Sequence, residues 1–294
     1  MAAIDKSLYE KMTITSVSGE KTADVKTGVI SFNYYEDVFS PMITARMVVV
    51  NTGNTIVGDD GKVQSLYNGL PLRGGEKVEV KIAGNSPDNE GLEFNDLYVG
   101  SITNVDIDAE REMFVLNLIS REAITNETVR VGKKFPSSQK ISDSVEDIVK
   151  NYLSSDKLYD IDETQNPYGF IGNMRKPFTT LTMLASKSVP GNVSGKDATA
   201  GYFFFETQKG FRFKSVDSLI RTNPFPKKYI YKPGIVDSDN STKDYNIIAF
   251  STTRNQNLLE NLERGAYRQG QEQDHQWLFW LDVFLPFLVL PYLR

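Results

Sequence analysis

The sequence predicts an α+β protein that is mainly β. Residues up to about 130 contain short apolar runs separated by turns rich in glycine, asparagine and aspartate, such as VGDDGK and AGNSPDNEG. Such a series of short strands indicates a barrel or a sandwich. Helical spacing begins only after Lys134, and strand-like runs return from about Lys227. The chain of 294 residues is long enough for two or three domains.

The strands of the first part follow from their residue patterns. The run from Met42 to Val50 follows a proline and ends at an Asn-Thr-Gly turn. GEKVEVKI places Val, Val and Ile on one face and three charged residues on the other, which is the two-residue period of a strand. The runs from Leu97 to Val105 and from Glu112 to Ser120 flank the polar DIDAERE, which predicts a hairpin with a charged tip.

Two helices are expected in the middle of the chain. SDSVEDIVKNYLSS carries apolar residues at helical spacing, with Asp143 and Glu146 placed as a capping box before them. The second helix begins at Pro177, a favoured first-turn residue, and ends at Val189-Pro190.

A hairpin follows these helices and completes a small α+β domain. Its strands run from Tyr202 to Glu206 and from Phe211 to Lys214, around a Gln-Lys-Gly turn. The final strands are KKYIYK and the run from Tyr245 to Thr253, before a short helical turn that ends at Gly265.

Composition removes several classes of catalytic site. The chain has no cysteine, which excludes disulfides, thiolate nucleophiles and cysteine-ligated metals. A Ser-His-Asp triad or a histidine base would have to use the single histidine, His275. The net charge of −5 argues against a nucleic-acid-binding surface, which needs clustered lysine and arginine. We therefore expect no enzymatic activity, no catalytic residues, no cofactor and no metal.

Four motifs that could carry chemistry are better explained as structure. GNVSGK (Gly191 to Lys196) is one residue short of a phosphate-binding loop, and an aspartate replaces the magnesium-binding Ser or Thr. DSDNST (Asp237 to Thr242) lacks the glycine and glutamate of a calcium loop. Nothing singles out the pair Asp106 and Asp108 as glycosidase carboxylates among 38 acidic residues. The aromatic run from Tyr202 to Phe205 is expected to place half of its side chains in a core rather than on a stacking platform.

An ordered series of segments resembles the baseplate hub proteins of contractile-tailed bacteriophages, which are related to the hub part of type VI secretion spike proteins. GVISFNYYEDVFSPMITARMVVVNTGN and GLPLRGGEKVEVKI resemble the opening strands of the hub's first barrel. FVLNLISREAITNE, GKKFP and SDSVEDIVKNYL resemble the exit from that barrel. FTTLTMLASKSV and GYFFFETQKGFRFKSVDSLI resemble the middle domain. The resemblance extends over about residues 10 to 267.

The resemblance implies tube-like antiparallel β-barrel domains with an intervening small α+β domain. The first tube-like barrel is expected over residues 1–132 and the middle α+β domain over 133–226. Residues 227–267 are expected to start a second tube-like barrel, and 268–294 form an atypical apolar tail. In this family further strands follow at this point, so the second barrel is expected to be incomplete in this chain.

The function implied by the resemblance is structural. In this family a homotrimer forms a pseudo-sixfold ring that joins a hexameric tail tube to a trimeric central spike and leaves a channel for DNA. The expected partners are therefore other copies of the chain, the tail tube protein, the central spike protein and other baseplate proteins. DNA would pass without specific binding, in a virion tail baseplate that is assembled in the host cytoplasm. Two alternatives are the hub of a bacterial contractile injection or type VI-like secretion system, and a glycan-binding or cell-wall-degrading tail protein.

The C-terminal tail, HQWLFWLDVFLPFLVLPYLR, differs from the rest of the chain. Its apolar run is interrupted by Pro286 and Pro291, whereas a spanning helix needs about 20 mostly apolar residues, so no membrane span is expected. Dense exposed aromatic residues mark interfaces, which makes four residues candidates for binding a partner: Trp277, Phe279, Trp280 and Phe284. The alternative is a divergent or altered-reading-frame terminus that begins after Tyr267.

Overall fold

The computed structural model describes residues 8–51, 56–57, 62–84, 91–107, 111–157, 159–191, 201–221, 229–231 and 245–247. The chain divides into one compact unit, Asp5–Arg221, and a second made of Met1–Ile4 and Thr222–Arg294. The boundaries predicted for the barrels and the middle domain remain predictions.

In the first part of the larger unit, the described residues form nine strands and one short α-helix. The strands are β1 Leu8–Thr15, β2 Thr22–Asp24, β3 Val29–Tyr35, β4 Thr44–Asn51, β5 Ile56–Val57, β6 Val63–Gln64, β7 Lys77–Ala83, β8 Leu92–Ile107 and β9 Glu112–Ser120. The helix is α1, Leu66–Gly69. Seven strands form one antiparallel sheet in the order β2-β1-β7-β8-β9-β4-β3, and β5 pairs with β6. The predicted hairpin is confirmed, because β8 and β9 pair along their length.

The sheet curls, and its connectivity requires it to do so. The two edge strands, β2 and β3, are consecutive in the chain and are joined by only Val25 to Gly28. That link reaches at most about 18 Å, whereas the edges of a flat seven-stranded sheet lie about 29 Å apart. The link packs directly on β4, since a Cβ on Gly28 would lie 2.3 Å from the Val50 carbonyl oxygen.

The alternating residues of these strands fill the inside of the curl. Paired inward positions on β4 and β9 are Ala45 with Leu118, Met47 with Leu116 and Val49 with Phe114, all buried. The charged face predicted for β7 points outward, where Glu79 lies 3.1 Å from Lys77. Register shifts interrupt β8 between Val99 and Ser101 and between Thr103 and Asp106, and such bulges help the sheet to coil.

An α+β part follows in the same unit. Its helices are α2 Arg121–Thr128, α3 Ile141–Asn151, α4 Pro177–Ala185 and α5 Val216–Arg221. Its strands are β10 Lys134–Phe135, β11 Tyr159–Ile161, β12 Phe170–Ile171, β13 Tyr202–Thr207 and β14 Gly210–Ser215. β11 lies parallel to β14, which forms the predicted antiparallel hairpin with β13. Helices α3 and α4 pack on this sheet around a second apolar core that includes Val145, Leu181 and Phe213.

Two details of the predicted helices are wrong. Helix α3 begins at Ile141, so Asp143 lies inside its first turn and no capping box forms. The Ser142 N–H instead donates to Thr164 Oγ1 across 3.1 Å. Ile141 is fully buried, so the helix begins at a residue that packs in the core. Helix α4 begins at Pro177 as predicted but ends at Ala185, before Val189-Pro190.

The fold class is confirmed: the described residues are mainly β, with an antiparallel curled sheet and a smaller α+β part. In the second unit, β15 (Tyr229–Tyr231) pairs in parallel with β16 (Tyr245–Ile247). Within the described residues, no helix combines the length and apolarity needed to cross a bilayer.

Candidate functional site

A buried ion cluster joins the curled sheet to the α+β part. The Lys157 Nζ, in the segment after α3, lies 2.7 Å from Glu122 Oε2 and 2.6 Å from Glu206 Oε1. Glu122 lies at the start of α2, directly after β9, and Glu206 lies on β13. A third carboxylate, Asp96 of β8, lies 3.4 Å from the same ammonium. Lys157 therefore links side chains from both parts, and we call Lys157, Glu122 and Glu206 the junction cluster.

The charges of the junction cluster depend on one another. Burial disfavours the Lys157 ammonium, but the Glu206 and Glu122 carboxylates outweigh burial and raise the pKa of Lys157. Burial acts against the charge on Glu122 as well, and Lys157 overcomes it, so the pKa of Glu122 lies below its ordinary value. For Glu206 burial dominates and raises its pKa despite Lys157. Both carboxylates are fully buried, so each depends on its bound partners for solvation.

The remaining oxygens of the two carboxylates are also satisfied. Ser155 Oγ donates to Glu122 Oε1 across 2.6 Å, and the Ile43 N–H donates to Glu206 Oε2 across 3.0 Å. Ile43 directly precedes β4 of the sheet, so this last hydrogen bond crosses the junction. A buried polar cluster whose groups are all bonded favours a single relative position of the parts it joins.

A second contact reinforces this arrangement. The turn between β3 and β4 lies against the β13–β14 hairpin, where the Gln208 N–H donates to the Glu36 carboxylate. The rings of Phe39 and Phe203 meet edge to face with centroids 5.3 Å apart. Burial raises the pKa of Glu36. The turn between β3 and β4 therefore adds polar and aromatic contacts between the curled sheet and the α+β part to those of the junction cluster.

The curled sheet presents open edges. Within the described residues, β3 pairs only with β4, and β2 pairs only with Thr13 to Thr15 of β1. The backbone of β3, and that of β1 from Leu8 to Lys11 on the side of β2, therefore have no strand partner among the described residues, as at a sheet edge. Residue Ile30, at a register shift in β3, is 63% exposed. Such edges suit assembly through strand pairing.

The described residues include acidic side chains and a surface depression, the two features from which a metal or catalytic site could be built. No group of three or more acidic, histidine or cysteine side chains in this part of the chain has a metal-binding arrangement. A depression of about 550 Å³ beside the junction is lined by Lys150, Ser154, Ser155, Asp156, Lys157 and Tyr159. Two carboxylates already bind its Lys157. Ser155 in this lining already donates to the buried Glu122 carboxylate.

Some of the candidate motifs lie wholly or partly within the described residues. Of the aromatic run, Tyr202, Phe204 and Phe205 are buried, and Phe203 is partly covered by Phe39. The core interpretation is therefore confirmed, with more burial than predicted, because the β3–β4 turn covers the second face of β13. Asp106 lies exposed near the end of β8.

Several other predictions fall outside the described residues. The interface candidates Trp277, Phe279, Trp280 and Phe284 lie there and remain predictions. So do Asp108, DSDNST, the turn before Gly265 and all but the first residue of GNVSGK.

Sequence reasoning missed the junction cluster. Its three residues lie far apart in the chain, and each looks like an ordinary surface charge when read alone. The one available signal was Glu206, a carboxylate that continues the aromatic run of β13. A charge within such a strand indicates a buried partner.

The comparisons with known proteins give structural similarity only. No family model and no curated protein matches the sequence. The 43 kDa tail protein of prophage MuSo2 from Shewanella oneidensis is 13% identical, with a TM-score of 0.45, over 70% of this chain and 54% of that one. A tail protein from Neisseria meningitidis is 11% identical, with a TM-score of 0.44, over 80% of this chain and 58% of that one.

A third similar structure comes from a secretion system. It is an E. coli component of the type VI secretion system, described as structurally similar to bacteriophage T4 tail proteins, and is 9% identical with a TM-score of 0.43. The match covers 78% of this chain and 52% of that one. These three structures are two tail proteins, one of them from a prophage, and a component of a type VI secretion system. The chain spans about half the length of each of these three structures.

Proposed function

We propose that this chain is a structural baseplate hub protein of a phage contractile tail, without enzymatic activity. The observation that carries the proposal is the curled antiparallel sheet with open edges, held to an α+β part by the junction cluster. A ring-forming adaptor needs strand edges that can pair and a fixed angle between its parts, and these features supply both. The ordered sequence segments that resemble hub proteins support the same function.

In this proposal, three copies form a pseudo-sixfold ring between a hexameric tail tube and a trimeric central spike. The ring leaves a channel through which DNA passes without specific binding. The net charge of −5 supports this, because a basic lumen would hold the phosphates. The partners are the tail tube protein, the spike protein and other baseplate proteins of the virion.

Electron microscopy of the purified chain, alone and mixed with its tail tube protein, tests the proposal. We expect a threefold particle with a central channel about as wide as a DNA duplex, which binds the end of a tail tube. A strictly monomeric particle, or a trimer with a filled centre, would contradict the proposal.

A further inference from the structure

A rigid turn in the α+β part exposes two aliphatic side chains. Ile171 ends β12 and is 61% exposed, and Met174, three residues later, is 65% exposed. Backbone hydrogen bonds tie this segment to residues 131–133 at both ends: Gly172 N–H donates to the Lys133 carbonyl, and Met174 N–H to that of Val131. We call residues 171–175 the basic turn, for the charges described below. The two side chains are therefore exposed on a segment that is firmly hydrogen-bonded to its neighbour.

The basic turn holds Met174 in an unfavourable backbone conformation. Asn173 and Met174 both have a φ of 56°, in the left-handed region that a methionine rarely adopts. The Arg175 N–H closes the turn on the Gly172 carbonyl across 3.1 Å. Backbone strain that holds an exposed apolar side chain in place indicates a use for that side chain.

Positive charge surrounds these aliphatic residues. Lys134 pairs with Ile171 across the two strands. Side chains alternate along a strand, so Lys134 and Ile171 are exposed on one face, whereas Phe135 and Phe170 stack towards the core. Arg175 is exposed at the end of the turn. The two neighbouring segments of the chain, residues 130–134 and 171–176, carry five basic residues and no acidic ones. Two of the five have acidic partners, Lys133 with Asp147 and Lys176 with Glu127.

A second surface on the same unit has the complementary character. Tyr35 at the end of β3 is 44% exposed, and Phe39 in the turn that follows is 64% exposed. The edge-to-face contact with Phe203 orients the Phe39 ring. Asp37 is exposed between them. The segment from Val29 to Ile43 contains Glu36 and Asp37 and no basic residue. We call Tyr35, Asp37 and Phe39 the acidic aromatic patch.

We propose that the basic turn of one copy of this chain docks on the acidic aromatic patch of the next copy. A methionine sulfur and an aliphatic side chain pack favourably on aromatic rings, and Lys134 or Arg175 would lie near Asp37. Both surfaces are exposed, so neither covers the other within one chain. A contact that buries them therefore needs two chains. Two different surfaces meeting in this way make a heterologous contact, which gives a ring when the rotation closes. The inference rests on the homotrimer proposed above and names the surfaces that form it.

Site-directed crosslinking tests this contact directly, because the chain has no native cysteine. Chains carrying Met174→Cys and chains carrying Phe39→Cys are mixed, oxidised and analysed by non-reducing gel electrophoresis. We expect a covalent dimer from the mixture and little from either variant alone, since a heterologous contact brings residue 174 to residue 39 and not to itself. A chain with both substitutions should give a covalent trimer. Val17→Cys, at another exposed aliphatic residue (70%), replaces Phe39→Cys as the control and should not crosslink to position 174.

A charge exchange provides a second, non-covalent measurement. Sedimentation of Met174→Asp should show association weakened about tenfold to a hundredfold, as expected from losing the burial of one large apolar side chain. Lys134→Glu with Arg175→Glu and, separately, Asp37→Lys should each weaken association. Mixing these two variants should restore part of it. Circular dichroism and melting temperature check that each variant is folded.

The outcomes separate this inference from the proposed function. A wild-type trimer that neither crosslinks between positions 174 and 39 nor responds to Met174→Asp would overturn the docking contact and leave the hub proposal standing. A wild-type chain that stays monomeric at the highest concentration would overturn both. Crosslinking of Met174→Cys to itself alone would replace the heterologous contact with a symmetric one, and so would also overturn the inference.

Discussion

Replacing Lys157 by methionine should cause a large loss of stability for a single residue outside the apolar cores. The substitution keeps most of the side-chain volume but removes the ammonium that lies 2.7 Å from Glu122 and 2.6 Å from Glu206. Both carboxylates are fully buried, so neither can regain its solvation from water. Removing one partner of a buried ion pair costs about 3–5 kcal/mol.

The expected magnitude is at the lower end of this range. The Lys157 side chain is 24% exposed, so water reaches the cluster once the ammonium is gone. We expect the free energy of unfolding to fall by about 3 kcal/mol, and the melting temperature by about 6–12 °C for a unit of this size. The loss should shrink as the pH falls towards 4, because the two carboxylates left without a cation take up protons more readily in the folded state than in the unfolded chain.

Thermal and urea unfolding followed by circular dichroism would measure this effect. Lys176→Met is the matched control, because Lys176 forms an exposed, solvent-screened pair with Glu127, whose loss is expected to cost much less stability. Equal effects of the two substitutions, or a Lys157→Met loss that does not change with pH, would refute the account of the junction cluster.

Three further predictions concern single positions. Gly28→Ala should lower the free energy of unfolding by about 1–3 kcal/mol, because its Cβ would lie 2.3 Å from the Val50 carbonyl oxygen. An unchanged free energy of unfolding in urea would contradict the close packing on β4 of the link between β2 and β3. Glu122→Gln should destabilise the protein at pH 7. The difference from wild type should begin to shrink as the pH falls below the ordinary carboxyl pKa of 4.5 and should vanish only below the lowered pKa of the folded state, since stability from a carboxyl with a lowered pKa is lost on protonation; a difference that grows as the pH falls below 4.5 would rule this out. Met174→Gly should not lower the melting temperature, because glycine relieves the left-handed φ of 56°, and a clear drop would argue against strain in the turn.

Local sequence patterns were good predictors wherever a strand or helix is determined by its own residues. The strand from Glu112 to Ser120 has the predicted ends, and α4 begins at the predicted Pro177. Both depend on short-range causes: alternation over two residues in the first and the fixed φ of proline in the second. The start of α3 was misplaced because the Ser142 N–H in its first turn donates to Thr164, which lies 22 residues away along the chain.

The sequence alone determined the fold class, the places of several strands and of two helices, and the absence of cysteine and of all but one histidine. These properties depend on composition and on spacing within a few residues. The sequence did not predict α2, α5 or β11. Tertiary structure decided how the sheet curls, which edges stay open and which charges are buried together. Lys157, Glu122 and Glu206 meet only because β9, the end of α3 and β13 converge at one place. Their chemistry depends on distance and burial in space, and a linear pattern contains neither.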